Sequence, residues 1–77
     1  MQTKLETILS ETFAVAESAL TDETALKDIP RWDSLAHMML IARLEETYSV
    51  QFDGDEIAEM RTVGKIREAL RAHGTSL

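Results

Sequence analysis

The sequence has no cysteine, one proline (Pro30), three glycines, one tryptophan, one tyrosine and two phenylalanines in 77 residues. Without cysteine there is no disulfide framework and no thiolate metal site, so any thiol chemistry needs a bound or attached group. The longest uninterrupted apolar run, Met38 to Ala42, is far short of the roughly 20 residues that cross a bilayer, so membrane insertion is not expected. The N-terminus carries a single lysine, Lys4, and no signal-like apolar core, so a cytoplasmic address is expected by default. The length fits one small domain over residues 1–77, acting as a monomer, and a chain of this size buries only roughly 60% of its unfolded surface. The apolar content of 44% is ordinary for a globular protein and argues against wholesale disorder.

Positive charge is also scarce. Eight bases face fourteen acids, for a net charge of −6. Residues 1–60 hold thirteen acids and four bases, residues 61–77 one acid and four bases, so an acidic body precedes a basic end. Phosphate repulsion argues against nucleic acid as a partner. The acidic body suits basic protein partners, whose approach would be steered and salt-sensitive, and equally serves plain solubility.

Four helices are expected. Leu5, Ile8, Leu9, Thr12, Phe13 and Ala16 recur at helical spacing, which predicts a first helix from about Thr3 to about Ala16, with Thr3 and Glu6 as a capping box. A long connection over 17–33 follows, and such connections are often functional or hold a short turn of helix. Leu20, Leu26, Ile29 and Trp32 are spread through it as packing anchors, and Pro30 keeps Ile29 out of helical geometry. A second helix runs from about Ser34 to Tyr48. Asp53 and Glu56 form a capping box for a short third helix reaching about Met60, with Phe52 and Ile57 as its staple. The acids there lack the spaced oxygen ligands and distal glutamate of a calcium loop, so no metal site is expected. The last helix opens at Thr62, carries Val63, Ile66 and Leu70 inward, and ends at Gly74, with residues 75–77 expected to fray.

The second helix is apolar on two sides. At about 100° per residue, His37, Leu40, Ile41, Leu44 and Tyr48 share one face, and Leu35, Met38, Met39 and Ala42 the opposite one. A small chain has too few neighbours to bury both, so one stripe packs inward and the other awaits a partner. Asp33 and Ser34 stand at the helix start, and either side chain can cap it. One cap suffices, and if Asp33 provides it the Ser34 hydroxyl is left over. Ser34 then has three readings. It is a plain cap, or a nucleophile with His37 and Asp33, or the anchor of a phosphate-linked arm favoured by the positive end of the helix. The second reading lacks an oxyanion hole, a pocket and an oriented base, and no nucleophile elbow is present.

Asp33-Ser34-Leu35, the helix ending Leu44-Glu45-Glu46 with Tyr48 beyond it, the short acidic segment and the last helix opening Thr62-Val63 together resemble an acyl carrier protein over most of the chain. The resemblance implies 4′-phosphopantetheine on Ser34, taken from coenzyme A by a phosphopantetheinyl transferase, with Asp33 helping to hold that enzyme's magnesium. It implies that Leu35, Met38 and Ala42 dock partner enzymes, that Glu45 and Glu46, the acidic pair of the recognition helix, share in that docking, and that Ile57 and Met60, which border the acyl or arm side, also contact partners; Met39 belongs to the same exposed strip. Loading would fall to an acyl or aminoacyl ligase, synthase or transferase.

Met39 stands where the fatty-acid type has an acid, Arg43 adds positive charge, and Trp32 and His37 flank the motif, which looks more like a discrete carrier of polyketide, peptide or other specialised metabolism. His37 and Tyr48 make the inner stripe less apolar, which suits a polar or short cargo. The expected architecture is therefore all-α, a small antiparallel four-helix bundle with a short third helix, and the expected role is a non-catalytic carrier. The alternative is an unmodified helical adaptor that binds a partner groove through Leu35, Met38, Met39 and Ala42.

Overall fold

The computed structural model describes residues 5–74. Four helices follow in order: α1 (Leu5–Phe13), α2 (Ser34–Tyr48), α3 (Gly54–Glu59) and α4 (Val63–Ala72). No strand forms among the described residues, and the fold is all-α. The connection between α1 and α2 contains two single 3-10 turns, Glu17–Ala19 and Leu26–Asp28.

Three of the four helices each contribute one apolar stripe to a single core, and α3 adds no buried residue of its own. Leu5, Ile8, Leu9 and Phe13 come from α1, Leu40, Ile41 and Leu44 from α2, and Val63, Ile66 and Leu70 from α4. Leu20, Leu26 and Ile29 of the long connection are buried with them, as are Phe52 and Met60 on either side of α3. The spacing that predicted the helices is thus the spacing that fills the core.

Local chemistry sets the ends. Asp53 accepts from the Glu56 N–H (2.8 Å) while the Glu56 carboxylate accepts from the Asp53 N–H (3.1 Å), a reciprocal capping box. Thr62 Oγ1 accepts from the Lys65 N–H at 3.1 Å and starts α4. Helix α1 stops earlier than its apolar pattern suggests. Ala14 turns left-handed (φ 54°), the Val15 N–H reaches back to the Ser10 carbonyl at 3.2 Å, and Ala16 is left exposed outside the helix. The same arrangement ends α2, where Ser49 has φ 55° and the Val50 N–H bonds the Glu45 carbonyl at 3.2 Å. The Thr3 cap and the frayed C-terminus expected from sequence lie outside the described residues.

The long connection is stitched to the start of α4. Ala25 and Thr62 form an isolated antiparallel bridge, with the Leu26 N–H on the Arg61 carbonyl (2.9 Å) and the Val63 N–H on the Thr24 carbonyl (3.1 Å). The Gly64 N–H adds a bond to the Asp22 carbonyl at 2.9 Å, and a Cβ at Gly64 would lie 2.9 Å from that same oxygen. Only glycine allows this approach. Arg67, one turn later, bonds Glu6 of α1 at 2.6 Å and Asp22 at 3.1 Å, tying three parts of the chain through one guanidinium. Burial alone would raise the Glu6 carboxyl, but a backbone N–H and Arg67 outweigh it and hold it below its ordinary 4.5.

Candidate functional site

The start of α2 settles which of the two short side chains caps the helix. Asp33 is extended (φ −152°, ψ −179°), and its Oδ1 accepts from the Ala36 N–H at 2.7 Å. Ser34 is therefore the first helical residue, and it is exposed. Its hydroxyl makes no hydrogen bond among the described residues, and neither do the N–H groups of Ser34 and Leu35, because the helical ladder begins with the His37 N–H on the Asp33 carbonyl.

His37 does not serve Ser34. The Trp32 indole N–H donates to His37 Nδ1 at 3.1 Å, with the two rings edge-on at 5.9 Å. Because the indole can only donate, Nδ1 accepts, so the proton sits on Nε2, which lies 3.2 Å from the Ile57 carbonyl. Both ring nitrogens are committed and Asp33 is occupied as a cap, so His37 and Asp33 do not form a base–orienter pair for Ser34. His37 instead ties the residue before the motif to α3.

The second apolar stripe is open. Leu35 is 72% exposed, Met38 52% and Met39 57%, and Ala42 is exposed beside them. No acid occurs between Ser34 and Leu44, and Arg43, which sequence placed as an added positive charge on this helix, is paired with Glu11 at 2.9 Å. The two glutamates at the helix end differ. Glu46 is exposed, whereas Glu45 is half-buried and accepts from the Phe52 N–H at 2.9 Å, holding the turn into α3. Of the two apolar residues assigned to partner contact around α3, Ile57 is partly buried. Met60, at 1% exposure, is a core residue, because the chain turns inward at the end of α3 on its way to the Ala25–Thr62 bridge. It is out of reach of a partner's surface and forms part of a cleft instead.

That cleft, about 570 Å³, lies between the 25–32 segment, α2 and α3 and is lined by Leu26, Trp32, His37, Ile57 and Met60, with Lys27 and Arg61 also in its wall. Trp32 and His37 bracket Ser34 in sequence, so the cleft adjoins the start of α2. The pairing of Trp32 with His37 and the meeting of Lys27 with Arg61 were not apparent from sequence. The first pair spans five residues across a loop–helix junction, and the second is brought together only by the bridge to α4.

Against known families, residues 3–70 match the model described as the phosphopantetheine attachment site. The chain is 35% identical over 63 residues to an acyl carrier protein of Thermotoga maritima, covering 82% of this chain and 78% of that one. It is 24% identical over 70 residues to an acyl carrier protein of Lactobacillus johnsonii, covering 91% and 88%. A family match across nearly the whole chain, on an all-α fold with a free serine at the head of its longest helix, shows that this protein belongs to the acyl carrier family, whose members bear covalent 4′-phosphopantetheine and carry groups rather than catalyse.

Proposed function

We propose that Ser34 is the attachment point of 4′-phosphopantetheine and that the chain presents an acyl or aminoacyl group to enzymes of a fatty-acid, polyketide or peptide-type pathway. The observation that carries this reading is the division of labour at the start of α2: Asp33 provides the cap, so the Ser34 hydroxyl is exposed and has no hydrogen bond among the described residues. The surroundings fit a phosphodiester. Two N–H groups without partners among the described residues and the positive end of a fifteen-residue helix favour negative charge there. When bound, the group supplies a thiol on a flexible arm, able to hold cargo as a thioester, in a chain that has no thiol of its own.

The chain's residues then have separate tasks. Ser34 anchors, and Asp33 holds the helix start while its second carboxylate oxygen is available to the magnesium of a phosphopantetheinyl transferase. Leu35, Met38, Met39 and Ala42 dock the transferase and the acyl-handling enzymes, with Glu46 as the charged margin and Glu45 as a brace for the turn behind it. Ile57 faces the arm or cargo from within the cleft, with Met60 buried behind it. A docking strip without acids supports a specialised pathway over housekeeping fatty-acid synthesis, and the same reading places the chain in the cytoplasm with the enzymes that load it. Among the described residues no helix is long and apolar enough to cross a membrane. An unmodified adaptor would use the same strip but gives the free serine no task.

Intact mass before and after incubation with coenzyme A, magnesium and a broad-specificity phosphopantetheinyl transferase tests the assignment. One phosphopantetheine should be gained by the native chain and none by Ser34→Ala. Modification of the alanine variant at another residue, or no gain by the folded native chain, overturns it.

A further inference from the structure

The cleft beside Ser34 has a charge pattern opposite to that of the chain. Acids outnumber bases by fourteen to eight overall, yet the lining includes Lys27 and Arg61 and no acid. These two residues are distant in sequence but held together by backbone. The Leu26 N–H bonds the Arg61 carbonyl at 2.9 Å, next to the Ala25–Thr62 bridge, so both cations rise from one pair of adjacent strands of chain. Arg43, Lys65 and Arg67 each have a carboxylate partner, whereas Lys27, Arg31, Arg61 and Arg71 have none among the described residues, and of these four Lys27 and Arg61 line the cleft. The rest of the cleft offers a ligand little polarity. Leu26, Ile57 and Met60 are apolar, and the polar atoms of Trp32 and His37 are spent on each other and on the Ile57 carbonyl.

We infer that this cleft receives the far end of the cargo and that the cargo ends in a carboxylate, its apolar middle lying on Trp32, Ile57 and Ala58, above the buried Leu26 and Met60, and its charge meeting Lys27 and Arg61. The inference rests on Ser34 being the point of attachment, which puts a tethered acyl group beside the cleft at high effective concentration. At about 570 Å³ the space is of ligand size. A plain alkyl cargo would leave both cations unused, and a cargo ending in an ammonium group would be repelled by them. Arginine adds a planar fork that matches a carboxylate.

The test loads the full chain with suberyl or octanoyl phosphopantetheine, acyl groups of equal length that differ in the terminal carboxylate, from the corresponding coenzyme A thioesters. Intact mass reports loading. Aminolysis of each thioester by hydroxylamine is then compared with the same acyl group on free pantetheine, which removes intrinsic reactivity. The suberyl chain should be protected roughly fivefold more than the octanoyl one, the scale of one partly exposed ion pair. Lys27→Gln with Arg61→Gln, both exposed side chains, should remove that preference and leave octanoyl protection unchanged. Equal protection of the two cargoes, or a preference that survives in the double variant, overturns the inference while leaving the carrier assignment intact. Failure of Ser34 to load overturns both.

Discussion

Two neighbouring alanine substitutions should have opposite consequences. Asp33→Ala removes the oxygen that accepts from the Ala36 N–H at 2.7 Å and leaves a further orphan donor in the first turn of α2. Loss of such a cap costs about 0.5–2 kcal/mol, typically ~1. Ser34→Ala removes a hydroxyl with no partner among the described residues, at an exposed first helical position, and gains a few tenths of a kcal/mol from the helix preference of alanine. For a domain of this size total stability is about 4–11 kcal/mol, and each kcal/mol moves the melting temperature by roughly 4–8 °C. Thermal and urea melts followed by far-ultraviolet circular dichroism should therefore show Asp33→Ala melting several degrees lower and Ser34→Ala unchanged or slightly raised. Phosphopantetheine loading should show the reverse emphasis, abolished in Ser34→Ala and retained to some degree in folded Asp33→Ala. Asp33→Asn, which keeps the cap and loses the charge, separates stability from transfer. Equal destabilisation by the two alanines would mean that the serine oxygen shares the cap, and the argument that it is free for modification would fail.

Gly64→Ala should destabilise by about 1–2 kcal/mol in urea denaturation despite alanine's advantage in a helix, because its Cβ meets a backbone oxygen at 2.9 Å and threatens the bond to Asp22. Glu6 has its carboxyl held below 4.5 in the folded chain, so its pairing with Arg67 stabilises fully above that value and is lost as pH falls through the lower folded one. Glu6→Gln should be less stable at neutral pH and lose less stability on acidification over that window, read from urea midpoints on either side of it. Met60→Ala should cost about 2–5 kcal/mol as a core cavity. Met38→Arg should stay within about 0.5 kcal/mol of the native chain, yet raise the KM of a partner enzyme about tenfold.

The helices were legible because their determinants are local. The Asp53–Glu56 capping box, the Thr62 cap and the span from Ser34 to Tyr48 follow from side-chain chemistry within a few residues. The two apolar stripes of α2 were legible from period alone, and the structure buries Leu40, Ile41 and Leu44 while exposing Leu35, Met38 and Met39. The free serine was visible only as a condition, since either Asp33 or Ser34 has the chemistry to cap. Tertiary pairing was not legible. Nothing near Glu45 signals that Phe52 claims its carboxylate, nor does the spacing around Met60 show the chain turning inward there. The premature end of α1 depends on Ala14 adopting a left-handed backbone that its side chain does not favour. Lys27 and Arg61 become neighbours only after the long connection lies against α4.

Two of the four methionines stand on the open stripe of α2, while Met60 is sealed in the core. Thioethers at that exposure are open to oxidants, and if partners dock on this stripe as proposed, a sulfoxide is polar and chiral where they expect a soft apolar contact. The carrier would therefore age from its recognition surface inward. It would lose its clients while it remains folded and Ser34 remains available, and a reductase acting on methionine sulfoxide would restore it without resynthesis.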